Sequence, residues 1–243
     1  MPAVFLVSDT HFGHTGVCKF TRSDGITKLR PWDSAEEMDE EMVKRWNETV
    51  RPNDKVYHLG DVVINRKALS IMHRLNGDKV LIRGNHDIFR DTEYREHFRE
   101  LRAYHVMNGM ILSHIPIHPE SLGRFGVNIH GHLHANRVMT EVWGKYVIDP
   151  RYHCVCVEQT DFRPILFEDV IKRIKEEGGN VVSLDQKLVE TGVDSFGVMM
   201  ILTNLDDQFQ FLLEEEKVEM LDIPNLTFND IKDRHNVCKQ LLL

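Results

Sequence analysis

Short apolar runs alternate with polar, helix-compatible stretches over the first two thirds of the chain. Residues 4–7, 55–59, 79–82, 110–112 and 127–129 have the length and branched content of buried strands. Ser34-Ala-Glu-Glu37 opens a helix through Met38, Met42, Val43 and Trp46, with serine and glutamate spaced as a capping box. The pattern predicts a second helix over 67–75, closed by Asn76-Gly77, and a third over 92–102. Residues 144–148 and 152–158 predict two more strands, Phe162-Arg-Pro164 a break, and 167–177 another helix. Strands alternating with helices predict a layered α/β domain.

Gly178-Gly179 interrupts this pattern. Beyond it, Phe196, Met199, Leu202, Leu205 and Phe209 fall close to helical spacing, and 229–241 predicts a final helix. With 42% hydrophobic and 28% charged residues, a chain of 243 residues fits one large soluble domain or two small ones. The whole net charge of −8 lies in 165–243, where 16 acids face 8 Lys and Arg. That argues against a broadly cationic nucleic-acid surface, though nucleic acid stays open as a substrate, and it suits a cationic protein partner or only solubility. Cys18, Cys154, Cys156 and Cys238 show no CxxC spacing, so a reducing compartment is expected. Cys154 and Cys156, two apart in an expected strand, would share a face and not bond each other. No basic leader precedes the first apolar run, and no run approaches the roughly 18 apolar residues of a membrane span, so the expected location is cytoplasmic.

The strand-like runs matter most for the polar residues at their carboxyl ends. Asp9 and His11, Asp61, Asn85, His114, and His132 with His134 stand just past those ends, where layered α/β folds place their sites. Four imidazoles, two carboxylates and one amide suit Mn, Fe, Zn, Co or Ni rather than Ca. Seven ligands divide over two divalent ions if one carboxylate bridges. The i, i+2 pairs Asp9/His11 and His132/His134 would each project to one side of an extended chain. Gly60, Gly84 and Gly131 would permit the tight exit turns.

Asp-x-His, Gly-Asp, Gly-Asn-His-Asp, a lone His and Gly-His-x-His, in this order over residues 3–177, resemble the calcineurin-like metallophosphoesterases. The resemblance implies an αββα sandwich in a domain of residues 1–165. The helix at 167–177 is either the last element of that domain or the first of the segment that follows it. The same resemblance implies that Asp9, His11 and His134 hold one ion, that Asn85, His114 and His132 hold the other, and that Asp61 bridges. Manganese leads among the metals. His86 matches the catalytic histidine, and the implied reaction is hydrolysis of a phosphodiester or phosphomonoester by in-line attack of a metal-bridging hydroxide. The protein-phosphatase branch has an Asp three residues after the Gly-Asp aspartate; Ile64 stands there instead and makes that branch a poor fit. His14 is a candidate substrate contact. Arg30, Arg83 and Arg151 would each reach phosphate or, more plainly, lie in solvent.

Gly192-Val-Asp-Ser-Phe196, the acidic stretch after it, and Leu226-Thr-Phe-Asn-Asp-Ile231 resemble an acyl or peptidyl carrier protein. The resemblance implies a small all-α domain over 166–243, a 4'-phosphopantetheine arm on Ser195, and a phosphopantetheinyl transferase as partner. An ordinary N-cap is the plainer role for Ser195. The competing functional reading is a carrier or docking protein in which the phosphoesterase-like part is only a scaffold; an intact set of seven ligands argues against it.

Overall fold

The computed structural model describes residues 2–123 and 125–179. The expected arm on Ser195, and all of the carrier-like reading past residue 179, lie outside the described residues. Two sheets organise the described part. The first has the order β11 (Ile165–Leu166), β1 (Val4–Val7), β2 (Lys55–His58), β3 (Asp78–Ile82), β4 (Glu100–Arg102). Strands β1 to β4 are parallel and β11 is antiparallel to β1. The second sheet has the order β10 (Tyr152–Cys154), β7 (Asn128–His130), β6 (Met110–Ser113), β5 (His105–Met107), with β5 alone antiparallel. A separate hairpin pairs β8 (Met139–Val142) with β9 (Lys145–Ile148).

Alternation along the strands builds the layers. Leu6, Tyr57, Val80 and Ile82 of the first sheet meet Met110, Leu112 and Ile129 of the second in one buried cluster. Phe5, Val7, Val56 and Leu81 face the opposite way, onto helix α1 (Ala35–Thr49). Ser34 caps α1, its hydroxyl accepting from the Glu37 amide at 3.1 Å, a contact of about 1 kcal/mol. Met38, Met42, Val43 and Trp46 are the buried stripe of that helix, as the spacing predicts. Residues Arg66–Arg74 wind as a 3-10 helix in the place of the second expected helix, capped by Asn65. Helix α3 (Phe167–Glu176) sends Phe167, Val170 and Ile174 into the cluster between the sheets. A smaller cluster of Ile111, Leu122 and Tyr152 lies on the other face of the second sheet.

Two expected elements differ. The third helix stops early: α2 covers only Asp91–Tyr94, and residues 100–102 form β4. Tyr94 and Phe98 are buried at helical spacing, which mimics a longer helix, but Leu101 then pairs with Leu81 at the sheet edge. The expected strand 152–158 ends at Cys154 and gives way to a 3-10 turn at Val157–Gln159. That turn brings a buried glutamate, Glu158, towards the first sheet, where the Val157 amide donates to the Ser8 carbonyl at 3.1 Å. No helix among the described residues is long and apolar enough to cross a membrane.

Candidate metal centre

The loops after β1, β2, β3, β6 and β7 meet. The Asp9 amide donates to the Gly60 carbonyl at 2.9 Å, and the Gly131 amide to the His114 carbonyl at 2.9 Å. Two ligand groups result: Asp9, His11 and His134 in one, Asp61, His114 and His132 in the other, each with its donor atoms within 4.8 Å of one another. Asn85 joins the second group, its Oδ1 lying 2.9 Å from His114 Nε2.

The backbone at these positions is not extended. Asp9, His11, Asp61, His132 and His134 all have φ between 48° and 68°. The i, i+2 pairs therefore owe nothing to strand geometry. His132 and His134 part company, one to each group. Left-handed backbone costs a non-glycine residue of order 1 kcal/mol or more, and it persists only where surrounding contacts enforce it.

Those contacts are visible. Asp87, almost fully buried, accepts from the amides of Asp61 at 2.8 Å, Val62 at 3.0 Å and Gly84 at 2.8 Å, and so pins the β2 loop to the β3 loop. Asp9 Oδ2 accepts from the Ser8 hydroxyl, from the His132 amide at 2.8 Å and from the Cys156 thiol at 3.1 Å. The glycines serve space as much as backbone freedom. A Cβ on Gly131 would lie 2.0 Å from Ser8 Oγ, and one on Gly84 would lie 2.2 Å from Asp61 Oδ1.

The donor set fits divalent cations. Asp9 Oδ1 is buried without a hydrogen-bond partner among the described residues, 3.7 Å from His11 Nε2 and 3.8 Å from His134 Nε2. A buried carboxylate oxygen without a donor, facing imidazole nitrogens, suits a divalent cation. The imidazoles are turned for the purpose. His114 Nδ1 bonds the Leu59 carbonyl at 2.7 Å and His134 Nδ1 bonds Glu158 Oε1 at 3.0 Å, which leaves both Nε2 atoms to face the carboxylates. Burial alone would raise the Asp9 and Asp61 carboxyls and lower His114 and His134. The facing opposite charges outweigh it, so the carboxyls are held below their usual range and these imidazoles above theirs.

His86 donates its amide to Asp61 Oδ1 at 2.9 Å, and its exposed ring stands 5.5 Å from that of His11, edge to face. His14 is 5.7 Å from His11, ring to ring, and half-buried. Arg30 is a correction. Far from solvated, it is fully buried, paired with Glu158 at 2.8 Å and bonded to the carbonyls of Asp9 and Thr10. Arg83 binds the carbonyls of Asp87 and Phe89 and pairs with Asp91, and Arg151 pairs with Asp149. Sequence reasoning gave no role to Asp87, although it closes the Gly-Asn-His-Asp motif, and no signal marked Glu158.

The sequence profile of calcineurin-like phosphoesterases matches residues 3–182. The chain belongs to this family. Membership makes it a hydrolase of phosphate esters, and the ligand groups support divalent metal ions in this phosphoesterase. A relative from Methanocaldococcus jannaschii, an uncharacterized protein, is 35% identical over 190 residues covering 75% of this chain and 96% of its own. Among solved structures, a protein of unknown function from Aquifex aeolicus shares 26% identity, covering 71% of this chain and 100% of that one with a TM-score of 0.49. A novel archaeal phosphodiesterase shares 21% identity over 61% and 83% of the two chains, with a TM-score of 0.33.

Proposed function

We propose that this phosphoesterase works with two divalent ions, one held by Asp9, His11 and His134, the other by Asn85, His114 and His132, with Asp61 shared. The observation that carries this reading is the position of Asp61 Oδ2, 3.6 Å from His11 Nε2 and 3.4 Å from His114 Nε2. One carboxylate oxygen thus faces an imidazole of each group. When bound, such a pair of cations lowers the pKa of water and neutralises phosphoryl oxygens, with manganese the first candidate.

The side chains of the protein then hold the reacting phosphate. His86 is the proton donor to the departing ester oxygen. Its exposed ring beside His11 is free to meet substrate, while its amide is fixed on Asp61 Oδ1.

The test is metal content and hydrolysis of nitrophenyl mono- and diesters with divalent ions added. The wild-type chain is expected to bind two ions and turn over at least one ester. His86→Ala should keep both ions and lose most turnover, and Asp61→Asn should bind fewer than two. Two retained ions in Asp61→Asn would exclude sharing, and full turnover in His86→Ala would exclude the proton-donor role.

A further inference from the structure

A pocket of about 370 Å³ adjoins the metal centre, and two of the ligands, His132 and His134, line it. Its other walls include Phe20, Arg22, Ser23 and Asn136. Residues 20–29 form a small hairpin, with the Leu29 amide on the Phe20 carbonyl at 2.8 Å and the Arg22 amide on the Thr27 carbonyl at 2.7 Å. Both ends of this arm are fixed. Ser23 Oγ donates to Asn136 Oδ1 at 2.8 Å across the pocket, and the hairpin runs directly into Arg30, whose guanidinium is locked onto the Asp9 and Thr10 carbonyls. The arm is thus a preorganised wall of the pocket.

Its chemistry is selective. Phe20 is 51% exposed, an aromatic ring held edge-on by His14 at 5.8 Å and otherwise open. The exposed Arg22 guanidinium makes no hydrogen bond or ion pair among the described residues; Asp24 feels its charge without pairing with it. No carboxylate lines the pocket. A site of this size falls within the range of small-molecule pockets, about 300–1,000 Å³. A flat, anionic molecule matches an open aromatic face next to an unpaired guanidinium.

We propose that this pocket is a nucleotide subsite. The substrate class is a nucleoside phosphate ester, its base lying against Phe20 and a second phosphate meeting Arg22. This rests on the phosphoesterase reading only for the first phosphate, the one that faces the ligand groups. Phe20 and Arg22 determine specificity and take no part in holding metal.

Calorimetry on the full-length chain with Mn²⁺ tests this using inorganic phosphate, adenosine 5'-monophosphate and adenosine 3',5'-bisphosphate. Affinity should rise in that order. Phe20→Ala should cost about tenfold for both nucleotides and nothing for phosphate, and Phe20→Tyr should restore it. Arg22→Ala should remove the gain from the second phosphate and leave the monophosphate unchanged. Equal binding of phosphate and nucleotide, or wild-type ordering in both alanine variants, overturns the proposal. Turnover of nitrophenyl mono- and diesters separates the two readings. Nucleotide ordering with no ester hydrolysed leaves the subsite standing and sinks the hydrolytic reading, whereas hydrolysis without that ordering sinks only the subsite.

Discussion

Glu158 Oε1 lies 3.0 Å from His134 Nδ1 and 2.8 Å from the Arg30 guanidinium. One carboxylate oxygen therefore fixes the orientation of an imidazole of the candidate metal centre and balances the largest buried cation near it. Burial would raise Glu158, but Arg30 and His134 outweigh it and hold the carboxyl below its usual range. The group is thus an anion at neutral pH, and it makes His134 Nε2 the nitrogen that faces Asp9.

Replacing this anion tests its role as a positioning residue. Glu158→Gln keeps the shape but lets the amide present the wrong group to His134, and it leaves Arg30 without a counter-charge. The expected result is Mn²⁺ affinity about 10- to 100-fold weaker by calorimetry, as for other partners of metal-bound histidine. Glu158→Asp should recover part of it. If affinity is unchanged while the melting temperature falls, Glu158 serves the fold alone.

How far the sequence reveals this arrangement depends on where the physical signal sits. β1, β2, β3 and β6 are legible because both faces of each strand contact buried clusters, so their residues form apolar runs, and β7 because Val127 and Ile129 flank the buried Asn128. β4, β5 and β11, of two or three residues and half-buried, carry no such run. The candidate ligands are legible as motifs at strand ends, but their left-handed backbone is not: Asp and His enter that region more readily than most residues, yet too seldom for identity alone to announce it. Glu158 is 24 residues from His134, and only the turn after β10 brings them together. Arg30 reads as a solvated cation for the same reason: its partners come from residues 9, 10 and 158.

The crowding at Gly131 gives a second prediction. A methyl there would meet Ser8 Oγ at 2.0 Å and Asp9 Oδ2 at 2.6 Å, both on rigid, buried groups. Gly131→Ala must displace the Asp9 carboxylate or the His132 loop, so metal stoichiometry should fall together with thermal stability. Gly123→Ala is the control, since its nearest neighbour would be 3.9 Å away, and it should change neither. A Gly131→Ala protein that binds the wild-type number of ions would show that the loop yields without cost.

Acid sensitivity should come partly from His58. This fully buried imidazole accepts the Gly60 amide on Nδ1 at 3.2 Å, and its Nε2 lies 3.0 Å from Thr10 Oγ1, whose hydroxyl donates to the Val62 carbonyl at 2.7 Å. Those partners suit only the neutral ring with its proton on Nε2. Burial pushes its pKa down to about 4, against some 6.5 in an unfolded chain. The unfolded state therefore takes up a proton first as pH falls. The stability contributed by neutral His58 is complete above about pH 6.5 and is lost progressively towards pH 4, a loss of order 3 kcal/mol. Urea unfolding in chelator at pH 7.5 and 4.5 should show a smaller drop for His58→Gln than for the wild-type chain. Equal drops would mean that the ring gains its proton inside the fold at no cost.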